Sequence, residues 1–180
     1  MLGREHVLFK YINLLGLEYG AELGVWRGRV FKHLLTNHPT LRMVGVDLYA
    51  PQPDNPGPEK WTPGENGHQW AHDAYYNDLV QFCETNGRGR IIRDYTYNAV
   101  KEFEDGELDF VFIDADHSYE AVKKDIADWS PKVRAGGVVF GHDINWPTVQ
   151  KAVQEAYGED YMKESDNVWY HVKKNEKKQK

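Results

Sequence analysis

The stretch that most constrains this chain is Leu108 to His117, Leu-Asp-Phe-Val-Phe-Ile-Asp-Ala-Asp-His. Its unbroken apolar run, Phe110 to Ile113, predicts a strand buried on both faces, the environment of an interior strand in a parallel sheet. The run ends abruptly in three ionisable side chains, Asp114, Asp116 and His117. Ligands of open α/β sheets sit beyond the carboxyl ends of the strands, so acids delivered there form a candidate site. The same residues also suit a plain strand-to-helix turn, because acids and serines favour helix starts.

The flanking sequence alternates strands and helices. Val7, Leu8, Tyr11, Ile12 and Leu15 recur at helical spacing up to Gly16, and Tyr19 to Val25 reads as a strand. Val30, Phe31, Leu34 and Leu35 form the stripe of the next helix, and Arg42 to Tyr49 supplies a second strand. A helix carrying Tyr76, Leu79, Val80 and Cys83 stops near Gly87, and Arg90 to Asp94 is a third strand. Thr96 is placed to cap a brief helix with Ala99, Val100 and Phe103, and Ser118 opens one with Tyr119, Val122, Ile126 and Trp129 on one face. Pro131 to Gly137 reads as a turn before a fifth strand, Val138 to Phe140, which ends in Gly141-His142-Asp143-Ile144-Asn145. Pro147 starts a helix burying Val149, Ala152, Val153 and Ala156, and Met162 with Val168, Tyr170 and Val172 suggests a closing antiparallel pair at the sheet edge.

Between the first strand and its helix lies Glu22-Leu23-Gly24-Val25-Trp26-Arg27-Gly28. Glycines at such a junction let the backbone turn tightly and approach a ligand. The pattern fails the dinucleotide fingerprint, since Trp26 and Arg29 stand where the second and third glycines belong, and no phosphate-binding loop sequence occurs. Phosphate-bearing cofactors are therefore disfavoured, and the acid at the head of the motif suits a cationic group such as an ammonium. Asp47 ends the second strand, about 20 positions on, where an acid accepts from ribose hydroxyls. Asp94, after the third strand, is placed to accept from the exocyclic amine of a base. A turn-capping aspartate is the plain alternative for Asp47.

Composition narrows the class further. The 180 residues fit one domain over 1–172, with the proline- and glycine-rich segment 50–68 as a lid-like insertion. Residues 173–180 hold five lysines and one glutamate and read as a disordered basic tail. That tail carries +4 of the net −6, so the body stands at −10, which argues against a nucleic-acid face. No apolar run approaches the roughly 20 residues of a membrane helix and no signal-peptide pattern opens the chain, which predicts a cytoplasmic protein without a membrane partner. The single Cys83 reads as a helix packing residue. Six tryptophans, together with Trp61, His68, Trp70 and His72 in and beside the insertion, predict an aromatic-lined pocket.

Glu22, Gly24 and Gly28, then Asp47, Asp94 and the Asp114 to His117 turn before a Gly-Gly strand, together resemble class I S-adenosylmethionine-dependent methyltransferases over about Tyr19 to Val172. Phe112 to Val122 and Gly136 to Asp143 are most similar to the small-molecule O-methyltransferase branch with macrocin and catechol-type enzymes. The resemblance implies a Rossmann-like doubly wound α/β sheet, seven strands mostly parallel with one antiparallel strand in the edge region, and helices on both faces. It implies that Glu22, Gly24 and Gly28 hold the methionine end of the cofactor, Asp47 the ribose, and Asp94 with the Tyr95 backbone the adenine, with Asp114 facing the reacting centre. Catechol-type relatives bind magnesium, and here Asp114 and Asp143 match the acids while Asn145 falls one residue late for the third ligand. Hard oxygen ligands suit magnesium or calcium, whereas recruitment of His117 or His142 favours another divalent cation from the transition series. Without a metal, His117 or His142 is the candidate general base, each also suited to a structural histidine. The expected partner is a small-molecule acceptor, a sugar or natural product, with a homodimer as the open assembly state. A non-catalytic nucleoside-binding module and a nicotinamide oxidoreductase are the alternatives.

Overall fold

The structure, a computed structural model, describes residues 2–51 and 68–174. The insertion read as a lid (its residues 52–67), Trp61 and most of the basic tail lie outside the described residues.

Among the described residues seven strands form one sheet: β1 (Tyr19–Leu23), β2 (Arg42–Asp47), β3 (Gly89–Arg93), β4 (Leu108–Ile113), β5 (Val133–Gly141), β6 (Met162–Lys163) and β7 (Trp169–Val172). Their order is β3-β2-β1-β4-β5-β7-β6. β1 to β5 pair in parallel, while β7 runs antiparallel to both β5 and β6, so β7 alone opposes the rest. The chain winds outward from β1 to β3, then returns to place β4 on the other side of β1, creating a switch point between β1 and β4.

Among the described residues six α-helices pack on the sheet: α1 (Arg4–Leu15), α2 (Arg29–Asn37), α3 (Gln69–Asn86), α4 (Thr96–Ala99), α5 (Tyr119–Trp129) and α6 (Pro147–Tyr157). Alternate side chains of β4 explain its unbroken apolar run. Phe110 and Phe112 pack with Val7 and Leu8 of α1, Phe31 of α2 and Leu79 of α3, whereas Val111 and Ile113 pack with Ile126 of α5 and Val153 of α6. Each such side chain contributes roughly 1.5–3 kcal/mol by leaving water, which anchors β4 on both faces.

Three local readings differ from the sequence expectation. β5 starts at Val133, so the expected Pro131–Gly137 turn is largely strand. Its pairing with β4 shifts register between Leu108 and Phe110, and a Cβ at Gly137 would come 2.4 Å from the Asp109 carbonyl oxygen, which explains glycine there. Thr96 does not cap α4: the cap position is Tyr95, and Asp94 Oδ1 accepts from the Tyr95 N–H at 2.7 Å and from Asn98 Nδ2 at 3.0 Å. Ala156 is exposed, while Trp169, absent from the expected closing-strand pattern, is fully buried.

α1 is fastened over the far end of the sheet. Its Tyr11 hydroxyl donates to Glu164 and accepts from Tyr170 at 3.2 Å, and the Arg4 N–H donates to Asp166 Oδ2 at 2.7 Å. Gly16 ends the helix at φ +62.

Candidate active site

The carboxyl ends of β1, β2, β4 and β5 open into one cleft of about 840 Å³, within the range of roughly 300–1,000 Å³ typical of small-molecule sites. Glu22, Asp47, Asp94, Asp114, His117 and Asp143 all line it.

Glu22, inside β1, is 2% exposed, and its Oε2 finds no hydrogen-bond partner among the described residues. Burial, reinforced by the charges of Asp114 and Asp47 and opposed by Arg4, pushes its carboxyl well above the usual range. The glycines after it serve the turn more than ligand access. Gly24 has φ +84, and a Cβ there would lie 2.1 Å from the Asp114 carbonyl oxygen; Gly28, at φ +74, would meet the Leu79 side chain.

Asp47 is a junction. Its Oδ2 accepts from the Trp26 N–H and its Oδ1 from the Tyr49 N–H, each at 2.8 Å. Trp26 (φ +48) and Tyr49 (φ +46) both lie in the left-handed region, so Asp47 holds together two strained turns at the mouth of the cleft. The Tyr95 N–H is committed to Asp94 Oδ1, so the adenine-reading role implied for that backbone group rests on the rest of the Asp94 carboxylate.

At the ends of β4 and β5, four ionisable side chains meet. His117 Nε2 lies 2.7 Å from Asp143 Oδ2 and 3.6 Å from Asp114 Oδ1, and His142 Nδ1 lies 3.0 and 3.6 Å from the same two atoms. Burial pulls the His117 imidazole down, but hydrogen bonding and charge from Asp114 and Asp143 outweigh it and lift its pKa to about 9. Burial works against Asp143 too, yet the two histidines hold its carboxyl well below the usual range. Asp143 has φ +53, a strained backbone at the heart of the cluster.

One ligand atom each from Asp114, His117 and Asp143 lies within 4.8 Å of the others, a set able to hold a cation. The His117 Nε2 that faces both carboxylates, 2.7 Å from Asp143 Oδ2, is the nitrogen placed to share a cation with them once it has lost its proton. Asn145 is exposed and is not among the residues lining the cleft. Asp116 Oδ1 accepts from the Ser118 N–H at 2.6 Å, which makes it a turn residue, and Ser118 caps α5. His142 is 7% exposed and faces the guanidinium of Arg4, whose Nη1 lies 3.2 Å from its Nδ1.

Arg4 and Asp125 also line the cleft and carry no signal in the sequence. Arg4 comes from the tip of α1, and Asp125 is a charged residue on a helix, normally a solvated position. Here Asp125 is 4% exposed and accepts from Thr96 Oγ1 at 2.6 Å.

A mostly parallel seven-stranded sheet with its antiparallel strand next to the edge, and acids gathered at the β1/β4 switch point, defines the class I methyltransferase architecture. The chain belongs to the methyltransferase-domain family, whose model matches residues 21–144. Solved structures share its fold. One is a Staphylococcus aureus protein assigned as a caffeoyl-CoA O-methyltransferase, with a TM-score of 0.68 and 13% identity over 96% of this chain and 85% of that one. A second is CalS11, a calicheamicin methyltransferase, at 0.67 and 17% over 93% and 76%. A third is an O-methyltransferase from Bacillus cereus in complex with SAH, at 0.61 and 16% over 94% and 80%. Among curated proteins, the uncharacterized y4gI of Sinorhizobium fredii is 26% identical over 85 residues, 47% of this chain but 9% of that protein. The chain therefore matches under a tenth of the length of that curated relative. No described helix is long and apolar enough to cross a membrane.

Proposed function

We propose that the protein transfers the methyl group of S-adenosylmethionine to a hydroxyl of a small polar acceptor, a sugar or natural product. The observation that carries this reading is the cleft itself, where a buried, unpartnered acid on β1, the aspartate ending β2 and the Asp114–His117–Asp143 cluster share one space. The methyltransferase-domain match and the O-methyltransferase neighbours support it, and CalS11 supports a natural-product acceptor.

Glu22 accepts from the ammonium of the cofactor's methionine and ionises as that cation arrives, since the positive charge offsets its burial. Asp47 has lone pairs left for the ribose hydroxyls, and Asp94 for the adenine amine. The sulfonium already supplies a good leaving group, so the protein's main work is alignment of acceptor and methyl group. Asp114, His117 and Asp143 fit a divalent cation, and the imidazole in the set suits a transition ion alongside magnesium. Such an ion, when bound, lowers the pKa of the acceptor hydroxyl and fixes its direction. With no ion bound, His117, which faces the cleft beside Asp143, takes the acceptor's proton only in its neutral form, so turnover rises with pH toward its pKa of about 9. His142, between Arg4 and Asp143, positions that carboxylate.

Isothermal calorimetry with S-adenosylmethionine, S-adenosylhomocysteine and NAD tests the assignment. The first two should bind and NAD should not; NAD binding alone overturns it in favour of an oxidoreductase. Cofactor binding without methyl transfer to any hydroxyl acceptor would favour a non-catalytic binding module. Asp114→Asn and Asp143→Asn should each lower turnover about a hundredfold or more, and turnover indifferent to chelator removes the metal from the scheme.

A further inference from the structure

Two polar side chains, an acid and a guanidinium, face the cleft without answering each other. Glu22 Oε2 and Arg4 Nε are both buried, neither finds a hydrogen-bond partner among the described residues, and no ion pair joins the two side chains there. Arg4 is nonetheless close enough for its charge to oppose the upward shift of the Glu22 carboxyl. Its other contacts are weak for a guanidinium: Nε is 3.5 Å from Asp114 Oδ2, and Nη1 lies beside the His142 ring, which itself carries an N–H donor. Leaving a buried polar atom without its hydrogen bond is costly, so the open Glu22 Oε2 and Arg4 Nε point to a ligand that satisfies both.

A ligand carrying an ammonium and a carboxylate on one carbon does so. We propose that Arg4 binds the α-carboxylate of the cofactor's amino-acid end while Glu22 binds its ammonium, making the tip of α1 part of the cofactor site. This rests on the S-adenosylmethionine reading above. The helix is built to hold Arg4 there. The Arg4 N–H is fixed by Asp166 Oδ2 at 2.7 Å, and the neighbouring Glu5 holds Arg29, another cleft residue, at 2.7 Å. A guanidinium presents paired donors that match a carboxylate, which a lysine ammonium does not.

The test compares S-adenosylhomocysteine with 5′-methylthioadenosine, which keeps the adenosine and thioether but lacks the amino acid. By calorimetry, Arg4→Gln should weaken S-adenosylhomocysteine about 10- to 100-fold, the scale of a charge-assisted hydrogen bond, and leave methylthioadenosine within about twofold. Arg4→Lys should recover part of the loss. Equal weakening of both ligands would mean that Arg4 only supports the fold and would overturn the proposal, as would unchanged S-adenosylhomocysteine affinity in Arg4→Gln. If the unaltered protein binds neither nucleoside, the cofactor reading itself fails and Arg4's role falls with it. Binding of both by the unaltered protein and equally by Arg4→Gln leaves the cofactor reading standing and removes Arg4 alone.

Discussion

Asp125 shows how burial, helped by the nearby charges of Asp128 and Asp116, turns a surface-type residue into a pH-dependent one. Burial raises its carboxyl to about 6, against the pull of the Thr96 hydroxyl, from an ordinary value of 3.8. Between those values the folded chain binds more protons than the unfolded chain, so stability falls as pH rises through this window. Above pH 6 the ionised carboxylate costs the folded state about 3 kcal/mol, from some two units at 1.36 kcal/mol each. Asp125→Asn keeps an acceptor for Thr96 and removes the charge. Urea unfolding should therefore find it equal to the unaltered protein near pH 4 and more stable by about 1–3 kcal/mol at pH 7.5. A variant less stable at pH 7.5 would mean that the folded site satisfies the charge. Neither Asp125 nor Arg4 could be read from the sequence, and for one reason: each is drawn into the cleft by partners far along the chain, Thr96 29 residues away and His142 138 residues away. Asp47 and Asp114 were legible because their own strands fix them at the same sheet edge, whatever the helices do.

The turns between strands and helices divide into two kinds, and glycine substitution separates them. Gly16 ends α1 at φ +62, and a Cβ added there would have nothing within 4 Å, so Gly16→Ala meets only the left-handed penalty, about 1 kcal/mol. Gly24 has φ +84 and would also drive a Cβ to 2.1 Å from the Asp114 carbonyl oxygen and 2.7 Å from the Ala115 Cα, both backbone atoms that cannot swing away. Gly24→Ala should cost about 3 kcal/mol or more in chemical denaturation, and should abolish cofactor binding by parting the β1 turn from the β4 turn. Similar losses at both positions would mean that the β1 and β4 turns separate easily. The elements themselves were largely legible. Doubly buried strands leave unbroken apolar runs, as in β4, and amphipathic helices leave stripes, as in α2 and α5. The N-terminal half of β5 was hidden because Gly136-Gly137 has the composition of a turn, whereas within the strand Gly136 answers to a φ of +75 and Gly137 to the close pass of β4 at Asp109.

On the scale of the whole molecule, the cleft draws on both halves of the sheet and on α1, which is tied to the far edge by Tyr11, Glu164 and Asp166. A ligand touching Glu22, Asp47 and Arg4 thus bridges β1, β2 and α1. A ligand binding only the folded chain stabilises it by about 2.7 kcal/mol at a hundred times its Kd. For a chain of this size each kcal/mol moves the melting temperature by about 2–4 °C, so saturating S-adenosylhomocysteine should raise it by about 5–10 °C in scanning calorimetry. Asp47→Ala should shrink that shift at equal ligand concentration, because the ribose loses its acceptor and the Trp26 and Tyr49 turns lose their common anchor. NAD should leave the melting temperature unchanged, since its pyrophosphate finds no glycine fingerprint after β1 and meets instead a strand edge dense with carboxylates. An equal shift with NAD would return the dinucleotide reading to contention, and an undiminished shift in Asp47→Ala would place the ribose elsewhere in the cleft.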